Sequence, residues 1–76
     1  MINNRNTTHL TAFGIHVRKI RETKGITQEE LTFKSELSKN MIGLIERGEV
    51  NPTLSTLINL SEGLDIPLKL LMDFET

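Results

Sequence analysis

No cysteine occurs in the 76-residue chain, so there is no disulfide framework and no thiolate nucleophile. Two isolated histidines, His9 and His16, have no cysteine or carboxylate partner at ligand spacing and build no zinc site; both read as surface histidines. No apolar run approaches the roughly 20 residues that span a bilayer, and the polar start MINNRNTTH is not a signal peptide. These absences set an expectation of an intracellular, cytoplasmic protein without a membrane partner. Internal repeats, low-complexity tracts and a linker long enough to separate domains are missing too. A domain of this size buries only about 60% of the surface its unfolded chain exposes, which argues against a catalytic cleft between lobes.

A bulk excess of positive charge is also lacking. The formal net charge is −1, which at first counts against nucleic acid. The charge is unevenly placed, however. Residues 1–48 carry eight Lys/Arg against five Glu, a balance of +3, whereas residues 49–76 carry Lys69 against five acidic residues, a balance of −4.

What is present is helical spacing, with little period-2 alternation. Leu10, Phe13, Val17 and Ile20 form one stripe, and Gly25 supplies a stop, so a first helix is expected over about 10–24. Thr27 with Glu30 is a capping box opening a second helix that runs to about Ser35. Ser38 is placed to cap a third helix over roughly 39–47, with Met41, Ile42 and Ile45 inward and Gly48 at its end. After the break at Asn51-Pro52, a cap at Thr53 or its neighbour leads a fourth helix carrying Leu54, Leu57, Ile58 and Ser61 as far as Gly63. Pro67 suits the first turn of a short fifth helix, Leu68 to about Phe74, apolar on more than one side.

Helices two and three, joined by Ser35-Glu36-Leu37-Ser38, have the form of a helix-turn-helix. With Ile42 and Ile45 in the core, Lys39, Asn40, Gly43, Leu44 and Arg47 fall on the opposite face. Asn can bridge N7 and N6 of adenine, Lys can donate to O6 and N7 of guanine, and Leu44 offers an apolar contact to a thymine methyl. Taken alone, Lys39 and Asn40 are equally a solvated helix start. Gln28, in the first turn of helix two, is suited to a phosphate oxygen or is simply an exposed helix former. Arg47 either reaches phosphate or answers the helix dipole.

Particular stretches bear on these alternatives by likeness. Phe13-Gly14, Val17-Arg18-Lys19-Ile20-Arg21, Gly25-Ile26-Thr27-Gln28-Glu29-Glu30-Leu31, Leu37-Ser38, Ile42, Ile45-Glu46-Arg47-Gly48, Asn51-Pro52-Thr53-Leu54, Leu57 and Leu64-Asp65-Ile66-Pro67 follow in order and at the right spacing. From Phe13 to Leu71, about three-quarters of the chain, the sequence resembles the Cro/repressor, or XRE, class of helix-turn-helix regulators. The resemblance implies an all-α, compact five-helix lambda-repressor-like domain over residues 10–76, preceded by a flexible arm over 1–9.

It further implies base-edge contacts from Lys39, Asn40 and Leu44, with Ser38 beside them and Gly43 on the same face, and a phosphate contact from Gln28 together with the Thr27 amide; Arg47 is counted with the phosphate contacts, its dipole role remaining the alternative. The resemblance makes Arg21 and Glu46 a partly buried ion pair joining helix one to the end of helix three. Two positions depart from the family pattern: Glu36 stands where the turn usually has Gly, and Thr32 where a small Ala is usual. Phe33 occupies an often polar position and is expected to pack against the turn, the alternative being sugar and phosphate.

The expected function is a sequence-specific transcriptional regulator, neither an enzyme nor a cofactor binder, with a double-stranded DNA operator as partner. One module offers little contact area, so a homodimer on a pseudo-palindromic operator is expected, paired through Leu68, Leu71, Met72 and Phe74. The segments Gln28–Leu31 and Lys34–Leu37 most resemble restriction-modification controller proteins. The alternative is an antitoxin or other protein-interaction module on the same fold; RNA polymerase and a toxin are the further partners considered.

Overall fold

The computed structural model describes residues 6–76. The first five residues, with Arg5 and half of the expected arm, lie outside the described residues. Five helices follow in order: α1 Thr7–Thr23, α2 Gln28–Ser35, α3 Met41–Glu46, α4 Leu54–Gly63 and α5 Leu68–Leu71. There is no strand among the described residues, and no helix is long and apolar enough to cross a membrane. The helical stripes converge on one core of Phe13, Val17, Leu31, Ile42, Ile45, Leu60, Leu64 and Leu71. Around it α1 packs on α3, α2 packs on α3 and α4, and α4 packs on α5.

Four of the five helices end in the same way. After α1 the amides of Gly25 and Ile26 bond back to the carbonyls of Glu22 and Arg21; after α2, Glu36 and Leu37 bond to Phe33 and Thr32. After α3, Gly48 and Glu49 bond to Ile45 and Leu44, and after α4, Asp65 and Ile66 bond to Glu62 and Ser61. Each pair satisfies carbonyls that the helix end would leave open, and each needs one residue in the left-handed region. Glycine fills that place twice, at Gly25 and Gly48, both with φ 72°. The other two are acidic, Glu36 with φ 55° and Asp65 with φ 58°, where a Cβ is strained.

Several boundaries differ from the sequence expectation. Helix α1 begins three residues early, so His9 is helical rather than part of an arm. Ser38 does not cap α3: the helix opens at Met41, its N-cap is Asn40 in the left-handed conformation (φ 78°), and Ser38 contributes only its carbonyl to the Met41 amide. Lys39 and Asn40 therefore belong to the turn. Helix α5 stops at Leu71, three residues before Phe74, and Pro67 stands just before its first residue. Beyond α5 the chain folds back on α1, with the Phe74 ring 5.5 Å from Phe13. His16 is half-buried rather than a surface histidine: its Nε2 lies 3.0 Å from the Leu70 carbonyl, which can only accept, and its ring lies 6.0 Å from Phe74.

Helices α1 and α3 touch where glycine removes a side chain. A Cβ on Gly14 would lie 2.6 Å from the Glu46 carbonyl oxygen and closer still to that of Ile45. Next to this contact Arg21 meets Glu46 in a two-pronged pair, Nε to Oε2 at 2.6 Å and Nη2 to Oε1 at 3.1 Å, with the side chains 11% and 3% exposed. The guanidinium's third arm, Nη1, donates to the Ile26 carbonyl at 2.9 Å. The carboxylate's hydrogen bonds and charge push Arg21 above its ordinary pKa, so the guanidinium stays charged.

Three outcomes follow from these contacts. Arg21→Met leaves a buried carboxylate without its cation and lowers unfolding free energy by about 3–5 kcal/mol in urea titration. Glu36→Gly relieves the left-handed strain and raises stability by on the order of 0.5–1 kcal/mol, the glycine's extra unfolded-state entropy offsetting part of the gain. Glu30 accepts the Thr27 amide at 2.8 Å, and that bond holds its carboxyl below the ordinary value of 4.5. A depressed acid stabilises the fold above its unfolded pKa and stops doing so as pH falls through the folded one. Glu30→Gln, which still caps, is therefore expected to flatten part of the decline in melting temperature below about pH 4.5.

Candidate nucleic-acid interface

A shallow concavity of about 310 Å³ separates the start of α2 from α3, lined by Gln28, Glu29, Thr32, Lys39, Asn40, Ile42, Gly43 and Arg47. It brings together five expected contact residues: Gln28, Lys39, Asn40, Gly43 and Arg47. Ser38 and Leu44 are not among the lining residues; Ser38 is exposed and Leu44 half-buried.

Each wall has a local cause. The Thr27 cap turns the chain into α2 so that Gln28 is its first helical residue. The Thr27 hydroxyl accepts from the Glu30 amide at 3.0 Å while the Thr27 amide donates to the Glu30 carboxylate. The expected phosphate contact through the Thr27 amide is corrected accordingly: that donor is already engaged within the cap. The Gln28 side chain is also held, its Nε2 donating to Glu46 Oε1 at 2.9 Å.

On the opposite wall, the left-handed Asn40 lifts the turn clear of α3 and leaves Lys39 and Asn40 exposed at the rim. Asn is one of few residues that adopt this conformation readily. Gly43 makes the floor. It is buried and offers no side chain to a base, and a Cβ there would come within 3.0 Å of Arg47 Nη1 and 3.6 Å of Gln28 Oε1. The residue thus acts as a vacancy over which Gln28 and Arg47 converge. Arg47 itself follows α3, with its Nε donating to Glu49 Oε2 at 3.1 Å; this exposed pair is weak, and the guanidinium exchanges partners at little loss.

Sequence reasoning did not assign three of the lining residues to the interface. Glu29 puts a carboxylate in the wall, opposing Lys39 and Arg47. Thr32 lines the same wall, its hydroxyl bonded to the Gln28 carbonyl at 2.9 Å. The one signal for Thr32 was position, one turn after Gln28 on the same side of α2; Glu29 is its neighbour in sequence and gave none. Ile42 forms part of the floor as well as the core. Phe33 corrects an expectation outright, because it is 85% exposed and packs on nothing in the turn. Among the described residues no group of three or more His, Cys, Asp or Glu side chains is placed to hold a metal ion.

Comparison with known proteins places this geometry. A helix-turn-helix family model matches residues 17–71. The control protein C.BamHI of Bacillus amyloliquefaciens is 40% identical over 65 residues, covering 84% of this chain and 80% of its own length. An uncharacterized HTH-type transcriptional regulator, y4dJ of Sinorhizobium fredii, is 38% identical over 53 residues, 70% of this chain and 69% of that protein. The crystal structure of the restriction-modification controller protein C.AhdI from Aeromonas hydrophila aligns with a TM-score of 0.82 at 38% identity, over 84% of this chain and 97% of the other. The chain belongs to the XRE-type helix-turn-helix family of DNA-binding regulators.

Proposed function

We propose that this regulator is a single DNA-binding domain that acts inside the cell as a homodimer on a pseudo-palindromic operator, in the setting of a restriction-modification controller. The observation that carries the reading is the concavity itself. Lys39 and Asn40 stand exposed at one rim, and Gln28 and Arg47 converge over Gly43, which puts no side chain into the space between them. A major groove roughly 12 Å wide admits α3, so that rim residues meet base edges while Gln28 and Arg47 meet the flanking phosphates. The likeness to C.BamHI and C.AhdI supports the regulatory setting.

Geometry also supports pairing. The domain measures 30 × 24 × 20 Å, and two half-sites one DNA turn apart, about 34 Å, require a second copy. The expected interface needs one correction: Leu71 is fully buried and closes the core of its own chain. Leu68 and Phe74 are half-buried, the latter against Phe13, which leaves Met72, 43% exposed, as the outermost of the four. Other apolar side chains exposed on α4 and α5 are Leu54, Ile58 and Leu70, and we place the self-contact on this acidic half of the chain. That keeps the basic half free for DNA.

Two measurements test the reading. Selection from random duplex DNA is expected to return a two-fold symmetric site, and binding to it to weaken steeply with salt, since released counterions scale with phosphate contacts. A binder whose main task is to sequester another protein through the acidic face would select no DNA. Asn40 needs two variants because its backbone and side chain have separate roles. Asn40→Gly keeps the left-handed turn and removes the readout, and is expected to relax preference at one symmetric pair of positions by about 1–3 kcal/mol. Asn40→Ala additionally strains the turn and lowers the melting temperature. Unchanged preference in Asn40→Gly would remove Asn40 from direct readout.

A further inference from the structure

We infer that Glu46 is a positioning residue for the DNA backbone: its carboxylate aims the Gln28 amide so that the second amide proton of Gln28 faces a phosphate oxygen. The inference rests on the DNA-binding reading above and deepens it.

The Glu46 residue ends α3 at 8% exposure and gathers three donors, two from Arg21 and one from Gln28. A carboxylate paired with a guanidinium is ionised and only accepts hydrogen bonds. That leaves the Gln28 amide a single orientation, with nitrogen toward Glu46 and oxygen turned away. The geometry agrees: Nε2 lies 2.9 Å from Glu46 Oε1, while Oε1 of Gln28 borders the vacant space above Gly43. The two N–H bonds of an amide nitrogen diverge, so with one spent on Glu46 the other points out of the junction. Only Nε2 has a proton for phosphate, and Glu46 decides where it points.

Two further features suit this role. An exposed glutamine ordinarily loses rotamer freedom when it grips a ligand, and one already held loses less. Negative charge this close to a phosphate would repel it, but the two-pronged Arg21 pair neutralises Glu46. A single buried carboxylate thereby links the pose of α3 to the readiness of α2 for the backbone.

The test is a double-mutant cycle on the selected operator, with Kd measured for the wild type, Gln28→Ala, Glu46→Gln and the double variant, together with NMR of the side-chain amides in the DNA-free protein. Gln28→Ala is expected to weaken binding by roughly threefold to tenfold with base preference unchanged. Glu46→Gln is expected to weaken the wild type by a similar factor and the Gln28→Ala protein by less than about twofold. In the free protein, one Gln28 Nε2 proton should exchange more slowly than its twin. If Glu46→Gln fails to fold by circular dichroism, Glu46→Asp takes its place, keeping a negative charge opposite Arg21 while drawing the carboxylate back by one methylene from its donors, Gln28 included.

Additive losses across the cycle, or a shift in base preference in the Glu46 variant, would overturn the inference and return Glu46 to a purely structural role. A Gln28 amide exchanging like that of an unfolded chain would overturn it as well. A wild type that selects no duplex DNA would overturn the DNA-binding reading and this inference with it; the free-protein amide signal distinguishes that failure from a failure of the Glu46–Gln28 contact alone.

Discussion

The carboxylate of Glu46 is the constraint around which this small domain is arranged. It sits in the last turn of α3, where the helix dipole disfavours an anion, and it is almost fully buried. Both features require compensation, and the compensation comes from two other helices: Arg21 from α1 and Gln28 from α2. Because Arg21 also donates to the Ile26 carbonyl, the connection between α1 and α2 is tied to the same point. Replacing the cluster by apolar side chains of equal volume could leave a fold just as stable. What such a replacement would lose is geometry, since three helices are set against one another by directional bonds with little tolerance for sliding.

That arrangement also decides which charges remain for a partner. Of the basic residues in the first 48, Arg21 is consumed inside the domain and Arg18 pairs with Glu22 along α1. Arg47 is only loosely engaged by Glu49, and Lys39 makes no ion pair among the described residues. The modest net charge therefore understates what the concavity presents, which is two available cations facing one carboxylate, Glu29. With so few phosphate-seeking groups, weak non-specific binding is expected, and in the proposed dimer discrimination would fall to side chains at the rim and to the spacing of the two copies.

The sequence made much of this legible, for identifiable reasons. Apolar spacing located the buried side of α1 and α3, through Phe13 and Val17 and through Ile42 and Ile45, because burial on one side imposes a helical period; in α4 it pointed to Leu54 and Ile58, which are exposed, and passed over Leu60, which is buried. The Thr27–Glu30 cap and the Arg21–Glu46 pair were legible too, the first from local chemistry and the second from family likeness. What escaped depended on backbone conformation or on competition for a donor. Ser38 is a good capping residue, but the left-handed step at Asn40 comes two residues later and moves the helix start beyond its reach. A free Thr27 amide was expected although the same capping box already required it. Leu71 and Phe33 show the limits of pattern in opposite directions: one apolar residue assigned to an interface is at the centre of the core, and another assigned to packing stands in solvent.

The turn between α2 and α3 places an unequal burden on the two residues at its rim. Lys39 has no backbone constraint of that kind, so its side chain can change without disturbing the start of α3. Asn40 occupies φ 78°, where Gly is easiest, Asn and Asp are tolerated, and most other side chains are strained. A readout at position 40 is thus confined to an amide, a carboxylate or nothing. Asp would set a negative charge beside the phosphates, and Gly would read no base. On the proposed reading, the conformation that opens α3 therefore narrows the useful choice at position 40 to asparagine, and adjustment of specificity on this scaffold would run through Lys39 and through the vacancy at Gly43, where a small side chain crowds only the flexible end of Arg47.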